Sequence, residues 1–446
     1  MSHPALQIIV AICFIILIIA LFFEKADYLT YSFALIVIAS AATMFFETPE
    51  PLNLKFFVDA IEWDIVFFLI SMFTIVEILN DKQIFQEIAR RVVQKYSNNI
   101  RMMFYVICVV STISAAFIED LSVALIFGPI IIVACRRLKI NPSPFLLGMT
   151  ITINLASTLT PFGSAENILI ASAYNLNITW FVLTLGIYFA ISTAITLVLL
   201  DKTVLKHDLE KSWDGHCELE SAVKENVFEG ITVDKKSFRN NIIALGIFIF
   251  LMIIIPQVYI AGIIGLLVFV FINKVTDTEG KKHPSLSYYF RKVDYKLIFF
   301  FMCLFILVGL MELNGTIGLI ESLIDTIPTA NVFLLSVIIL LVTSALSGLM
   351  DNAPVTVIFL PIISHILDIT PEVKIPLLIA FIIGINIGGN FLPQGSACDM
   401  ATLEIARNNC AAELPFKRLF KVGGLFALLH IVLGVGYLAL QIFVLI

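Results

Sequence analysis

Residues 154–167 read NLASTLTPFGSAEN, and residues 386–399 read NIGGNFLPQGSACD. Each segment sits inside a long apolar block and carries Pro two residues before Gly, at Pro161 and Gly163 and again at Pro393 and Gly395. Proline removes a backbone donor and clashes with the preceding turn, so each segment interrupts a helix. At membrane depth the freed N–H and C=O groups must be met by protein, water or cargo. The half-helix after each break turns its positive N-terminal end toward that space, beside the oxygens of Asn154, Thr160, Ser164 and Asn167 or of Asn386, Asn390, Ser396 and Asp399.

The two breaks are copies of one another. A shift of 232 residues superposes Asn154 on Asn386, Pro161 on Pro393 and Gly163-Ser164-Ala165 on Gly395-Ser396-Ala397. The same shift superposes Phe67-Phe68 on Phe299-Phe300 and Pro129-Ile130-Ile131 on Pro361-Ile362-Ile363. Matched Asn, Pro and Gly-Ser-Ala at one offset, with no gap, mark an internal duplication.

The surrounding composition fixes the solvent. Of 446 residues, 59% are hydrophobic and 14% charged, against roughly 25% charged in soluble domains. Apolar blocks near the ~20 residues needed to cross hydrocarbon fall at 5–23, 28–46, 64–80, 144–174, 178–200, 240–256, 258–273, 296–312, 375–406 and 418–445. Two further blocks, 102–135 and 331–366, are interrupted by acids and are long enough for re-entrant helical hairpins. The expectation is an all-α polytopic membrane protein of two inverted-topology repeats, with about ten crossings and two hairpins. Its parts are a first repeat at 1–200, a cytoplasmic linker at 201–240 and a second repeat at 241–446. The apolar run after Met1 lacks a basic leader and a cleavage pattern, and reads as the first crossing.

Five crossings and a hairpin per copy force the second copy upside down. Charge agrees. Lys82, Arg90, Arg91 and Lys95 follow the third crossing, whereas the counterpart segment 314–331 has no Lys or Arg. The positive-inside rule therefore places the first segment in the cytoplasm and the second outside. The linker, with seven Lys and Arg, also falls inside, and its mixed charge reads as a tether with little fold of its own.

The hairpin turns carry the remaining polar signal. FIEDLSVALIFGP places Glu119 and Asp120 in the first, and LMDNAPVTVIFLP places Asp351 and Asn352 in the second, in register at the 232-residue offset. Charged groups at this depth are costly and usually functional. Between Glu119 and Asn167 the only basic residues are Arg136, Arg137 and Lys139, in the loop. Glu119, Asp120, Glu166, Asp351 and Asp399 suit a cation, a proton relay or a neutral hydroxylated cargo better than a multiply charged anion. Paired broken helices and opposed hairpins are the architecture of a secondary transporter.

The two turns, each followed by its break, resemble the ion transporter superfamily that holds arsenite permeases, D-type sodium/proton antiporters and citrate or other divalent-anion carriers. The resemblance covers both repeats and is specific for the superfamily, not for the cargo. It implies a scaffold and a moving transport domain, commonly dimeric, in the cell membrane. By position it carries over the hairpin-tip signatures to Glu119, Asp120, Asp351 and Asn352, and the unwound segments to Asn154, Gly163, Ser164, Asn386, Asn390, Gly395 and Ser396. The first tip departs from relatives that read Asn-Asp or Ser-Asn-Thr, and the added carboxylate counts against a sodium-and-dicarboxylate site.

Sodium/proton antiport and arsenite efflux are thus the leading readings, with a sodium-coupled citrate or dicarboxylate carrier as the alternative. The cargo is a small inorganic ion or solute, with Na⁺ or H⁺ as coupling ion and no resident cofactor or metal. An intramembrane hydrolase using Asp120 and Asp351 would leave the two breaks unexplained. No GxxxxGK[ST] loop for ATP is present, and a net charge of −6 gives nucleic acid no basic surface. Seven scattered cysteines with no CxxC read as packing residues.

Overall fold

The computed structural model describes residues 4–21, 27–46, 52–210, 233–255, 257–276, 280–293, 295–318, 331–409, 411 and 414–445. They form an all-α polytopic membrane protein. Nine helices among the described residues are long and apolar enough to span a bilayer, with shorter apolar helices besides. The first copy holds α1 (Pro4–Leu21), α2 (Tyr28–Phe45), the short α3 (Leu54–Asp59), α4 (Trp63–Asp81) and α5 (Ile84–Tyr96). A hairpin follows, α6 (Ile100–Ala115) and α7 (Asp120–Arg137), then α8 (Ser143–Ala156), α9 (Ala165–Tyr174) and α10 (Ile178–Leu200).

A short helix, α11 (Lys206–Leu209), precedes the second copy. That copy holds α12 (Lys235–Ile254), α13 (Val258–Ile272), α14 (Leu286–Phe290) and α15 (Lys296–Leu313). The second hairpin is α16 (Val332–Leu349) and α17 (Asn352–Ile369), followed by α18 (Lys374–Gly388), α19 (Ala397–Asn408) and α20 (Phe416–Leu440). The only strands among the described residues are a two-residue ladder, Val275–Thr276 with Lys282–His283.

Both expected breaks are present, between Ala156 and Ala165 and between Gly388 and Ala397. What holds each hairpin against its break is close backbone approach. A Cβ on Gly163 would lie 2.9 Å from the Ala115 carbonyl oxygen, and one on Gly395 would lie 2.6 Å from that of Ser347. Ala115 and Ser347 are themselves 232 residues apart. The repeated Gly is therefore a packing requirement at the end of α6 and of α16. Small residues do the same along α18, where Gly384 and Gly388 face Thr343, Ser344 and Ser347 of α16.

Two segments differ from the sequence reading. The crossing that ends at 200 by hydropathy continues as helix through Leu209, because the polar groups beyond Leu200 find partners. Asp201 accepts from Tyr105 Oη at 3.1 Å, and buried Asp208 accepts from Asn141 at 2.9 Å and from Arg418 at 2.6 Å. Helix α12 likewise begins at Lys235, capped by Asp234. Residues 211–232 of the expected tether lie outside the described residues, as do 319–330 of the segment read as external. The basic stretch after the third crossing is helix α5, whose apolar face is buried at Ile84, Phe85, Ala89 and Val93.

Candidate functional site

Helices α8 and α18 both end among buried residues: every residue of α8 from Ser143 to Ala156 is buried, as is α18 from Pro376 to Gly388. Asn154 sits in the last turn of α8, and Asn386 holds the matching place in α18. Their amides reach across the duplication. Asn154 accepts from Ser396 Oγ at 3.0 Å and donates to Asp399 Oδ1 at 3.3 Å. Asn386 accepts from Ser164 Oγ at 3.3 Å and donates to Asn167 Oδ1 at 2.9 Å. Ser396 and Asp399 are Ser164 and Asn167 shifted by 232 residues, so the two sets of contacts are the same set exchanged between copies.

Other partners complete the chamber. Asn154 also donates to Asn390 Oδ1 at 2.8 Å, and Thr150 Oγ1 donates to Asp399 at 2.5 Å. From the second hairpin tip, Asn352 donates to Glu166 Oε1 at 3.0 Å and accepts from Ser347. Thr160 donates to the Ala116 carbonyl, which fastens the first break to its hairpin, and Asn167 donates to the Ser157 carbonyl across the break itself. Buried Asn390 leaves its Nδ2 without a partner among the described residues.

The carboxylates differ in setting. Glu166 and Asp399 are buried, Glu119 and Asp120 are half-buried, and Asp351 is exposed. Asp120 and Asp351 open α7 and α17, where each accepts from the next backbone N–H, at 2.7 and 2.9 Å. Asp120 lies within charge-interaction range of Glu119, Asp351 and Asp399, and Glu166 within range of Asp120 and Asp351. Among the described residues, no Lys, Arg or His makes an ion pair with Asp120, Glu166, Asp351 or Asp399. Among the described residues, no group of three His, Cys, Asp or Glu side chains is placed to hold a metal ion.

A cavity of about 1220 Å³ lies beside the second hairpin tip and the second break. It runs past Asp351, Gln394 and Leu121 and ends near Arg407 and Phe416. A second cavity, of about 690 Å³, shares three matching places with the first, Val357 for Leu125, Leu169 for Ala401 and Ser172 for Glu404, and is otherwise lined by other positions, among them Asp59, Glu62 and Glu312. Neither Glu119 nor Asp120 lines it.

All fourteen residues singled out from the sequence lie at the breaks or hairpin tips. Network contacts join Asn154, Ser164, Asn167, Asn352, Asn386, Asn390, Ser396 and Asp399 to residues far away in the chain. Gly163 and Gly395 line backbone contacts, and Glu119 accepts from Ser122 within its own turn at 3.3 Å. The sequence reading passed over Thr150 and Ser347. Thr150 is one helical turn before Asn154, on the same face, which was the available signal. It also left aside exposed Arg407, two turns after Asp399 at the cavity mouth.

Two broken crossings clasped by two hairpins around a buried polar chamber define a membrane transporter. Within that class the chain belongs to the citrate transporter family, whose model matches residues 14–384. It is 22% identical to an uncharacterized transporter of Mycobacterium bovis over 388 residues, 86% of this chain and 87% of that protein. A 46 kDa membrane protein of Mycobacterium leprae is 23% identical over 361 residues, covering 78% and 79% of the two chains. The mouse P protein is 22% identical over 474 residues, with 86% of this chain and 54% of that protein covered.

Proposed function

We propose that the chain is a secondary transporter in the cell membrane that exchanges a small cation for protons, of sodium/proton antiport type, with arsenite efflux as the variant for neutral cargo. The observation that carries this reading is the charge of the chamber: Asp120, Glu166, Asp351 and Asp399 cluster there, and none of them makes an ion pair with Lys, Arg or His among the described residues. A carboxylate that holds either a proton or a metal cation, but not both, exchanges one for the other once the site faces alternate sides. The two copies, 1–200 and 241–446, supply the alternation as inverted repeats. The larger cavity, ending beside the start of α20, is then the cytoplasmic vestibule, and the smaller one is its external counterpart. A scaffold and transport domain in a homodimer fit the same scheme, with no cofactor beyond the coupling ion.

A second reading is a citrate-like anion carried with cations, in line with the family's description. Three features favour it. The N-terminal ends of α9 and α19 carry no side-chain cap, Asn390 has an unpartnered amide, and Arg407 stands in the vestibule. Uncapped helix N-termini receive carboxylates. An intramembrane hydrolase draws nothing from the relatives, two groups of which are named transporters or membrane proteins.

The test is reconstitution in vesicles loaded with a pH-sensitive dye, challenged in turn with Na⁺, Li⁺, arsenite and citrate. A proton flux evoked by Na⁺ or Li⁺ alone supports exchange. Flux that requires citrate replaces it with the second reading.

A further inference from the structure

We propose a second binding site, for the phosphate of an anionic phospholipid, in the cleft between α5 and the start of α12. The cleft has a volume of about 700 Å³ and is lined by Arg90, Arg91, Lys235 and Arg239, with Glu87 as its one acid. Two helical registers build it. On α5, Glu87, Arg90 and Arg91 share a face at i, i+3 and i+4, and on α12 Lys235, Phe238 and Arg239 do the same.

Glu87 does not neutralise the cleft. It is buried and accepts from Arg90 at 2.6 and 2.7 Å and from Arg91 at 2.7 Å, so one carboxylate fixes two guanidinium groups in place. The Arg91 guanidinium also lies 4.0 Å from the centre of the Phe238 ring, which orients it from the other side. Lys235 and Arg239 are exposed and make no ion pair among the described residues. Four cations thus face one acid that is already shared, while the carboxylate of Asp234 is spent on capping the N-terminal end of α12.

The occupant follows from what borders the charge. One turn beyond Arg239, Ile242 and Ile243 line the same cleft, and both are exposed on a membrane-spanning helix. A ligand that fills the cleft therefore meets fixed cations at one end and an apolar, bilayer-facing wall at the other. A phospholipid has that polarity and a free phosphate has only half of it. Clusters of Lys and Arg on an amphipathic helix and at the cytoplasmic start of a spanning one are where anionic headgroups bind.

The experiment uses the full chain purified in neutral detergent and transferred to phosphatidylcholine vesicles with or without phosphatidylglycerol. Phosphatidylglycerol retained by the protein and the lipid-dependent rise in melting temperature are both read. Lys235→Gln and Arg239→Gln, which leave the Glu87 pairs intact, should each weaken retention roughly fivefold, the worth of one interfacial charge. Lys95→Gln, which removes one exposed charge from α5 outside the cleft, should change neither readout. Equal losses in all three variants would reduce the effect to general surface charge and overturn the site. An equal rise in melting temperature with inorganic phosphate in pure phosphatidylcholine would overturn the lipid assignment.

Discussion

Asn154 and Asn386, 232 residues apart, each accept a hydrogen bond from the serine of the other copy's Gly-Ser-Ala, Ser396 at 3.0 Å and Ser164 at 3.3 Å. Neither break is therefore complete by itself. The two breaks of the duplicated chain close one chamber between them.

Removing one half of the exchange should be felt by the other. Asn154→Ala and Asn386→Ala should each cost about 1–3 kcal/mol of stability, because truncation leaves buried partners unsatisfied, while flux falls to background. The double variant should transport no worse than either single one, because contacting residues act as a unit. Additive, partial losses of flux would dissolve the idea of one shared chamber.

The packing glycines give a purely steric prediction. A methyl at Gly395 meets the Ser347 carbonyl at 2.6 Å, whereas one at Gly436 has nothing within 4 Å. Gly395→Ala should lower stability by about 1–3 kcal/mol through overpacking, and Gly436→Ala should leave it unchanged or slightly raised, since Ala is the better helix former. Melting curves of the two proteins in the same detergent decide it.

The acids should matter for transport and little for folding. Asp120→Asn and Asp399→Asn keep shape and lose charge, so expression and melting should stay near those of the parent protein while exchange disappears. If protons and cations compete at this cluster, raising the pH lowers the apparent KM of the parent protein for Na⁺. Dye-loaded vesicles assayed across pH give the answer, and a pH-independent KM would remove the competition.

On α5, which is not among the helices long and apolar enough to span a bilayer, Glu87 carries a pH signature. Hydrogen bonds from Arg90 hold its carboxyl below the ordinary carboxylate range, with those from Arg91 adding to the effect. A depressed folded value stabilises above the ordinary pKa of about 4.3, and that contribution is lost as pH falls through the folded value. Glu87→Gln should cost about 2 kcal/mol near neutrality, as for hydrogen bonds to charged groups. The gap between variant and parent should close on strong acidification, as thermal melting from neutral pH downward would reveal.

Sidedness follows from the duplication. Cysteines placed at Lys95 and Lys206 should react with an impermeant reagent only from the cytoplasm, and one at Glu372, exposed between α17 and α18, only from outside. Labelling of Lys95→Cys and Glu372→Cys from the same face would contradict inverted copies.

Much of this was legible along the chain, and for a local reason. Hydrocarbon demands long apolar runs whose backbone bonds are satisfied within the segment, so crossings, hairpins and breaks each leave a mark in a few consecutive residues. Pro161 and Pro393 mark the ends of helices wherever they fold, and the helix ends lie within a few residues of those expected. The hairpin acids stand out because nothing else of their kind is nearby. Local polarity misled where long-range partners existed: Asp201 and Asp208 read as tether, yet Tyr105, Asn141 and Arg418 hold them in helix.

Pairing was decided only by the tertiary structure. Asn154 with Ser396, Asn352 with Glu166 and Thr150 with Asp399 join residues 186 to 249 positions apart. No periodicity of a single helix encodes such separations. The offset of 232 announced that two alike segments exist, but whether each would close on itself or on its copy depended on how α8 and α18 pack. The contacts at Gly163 and Gly395 hold each break to the hairpin of its own copy, and the side-chain bonds from Asn154 to Ser396 and from Ser164 to Asn386 turn the two breaks into one polar chamber.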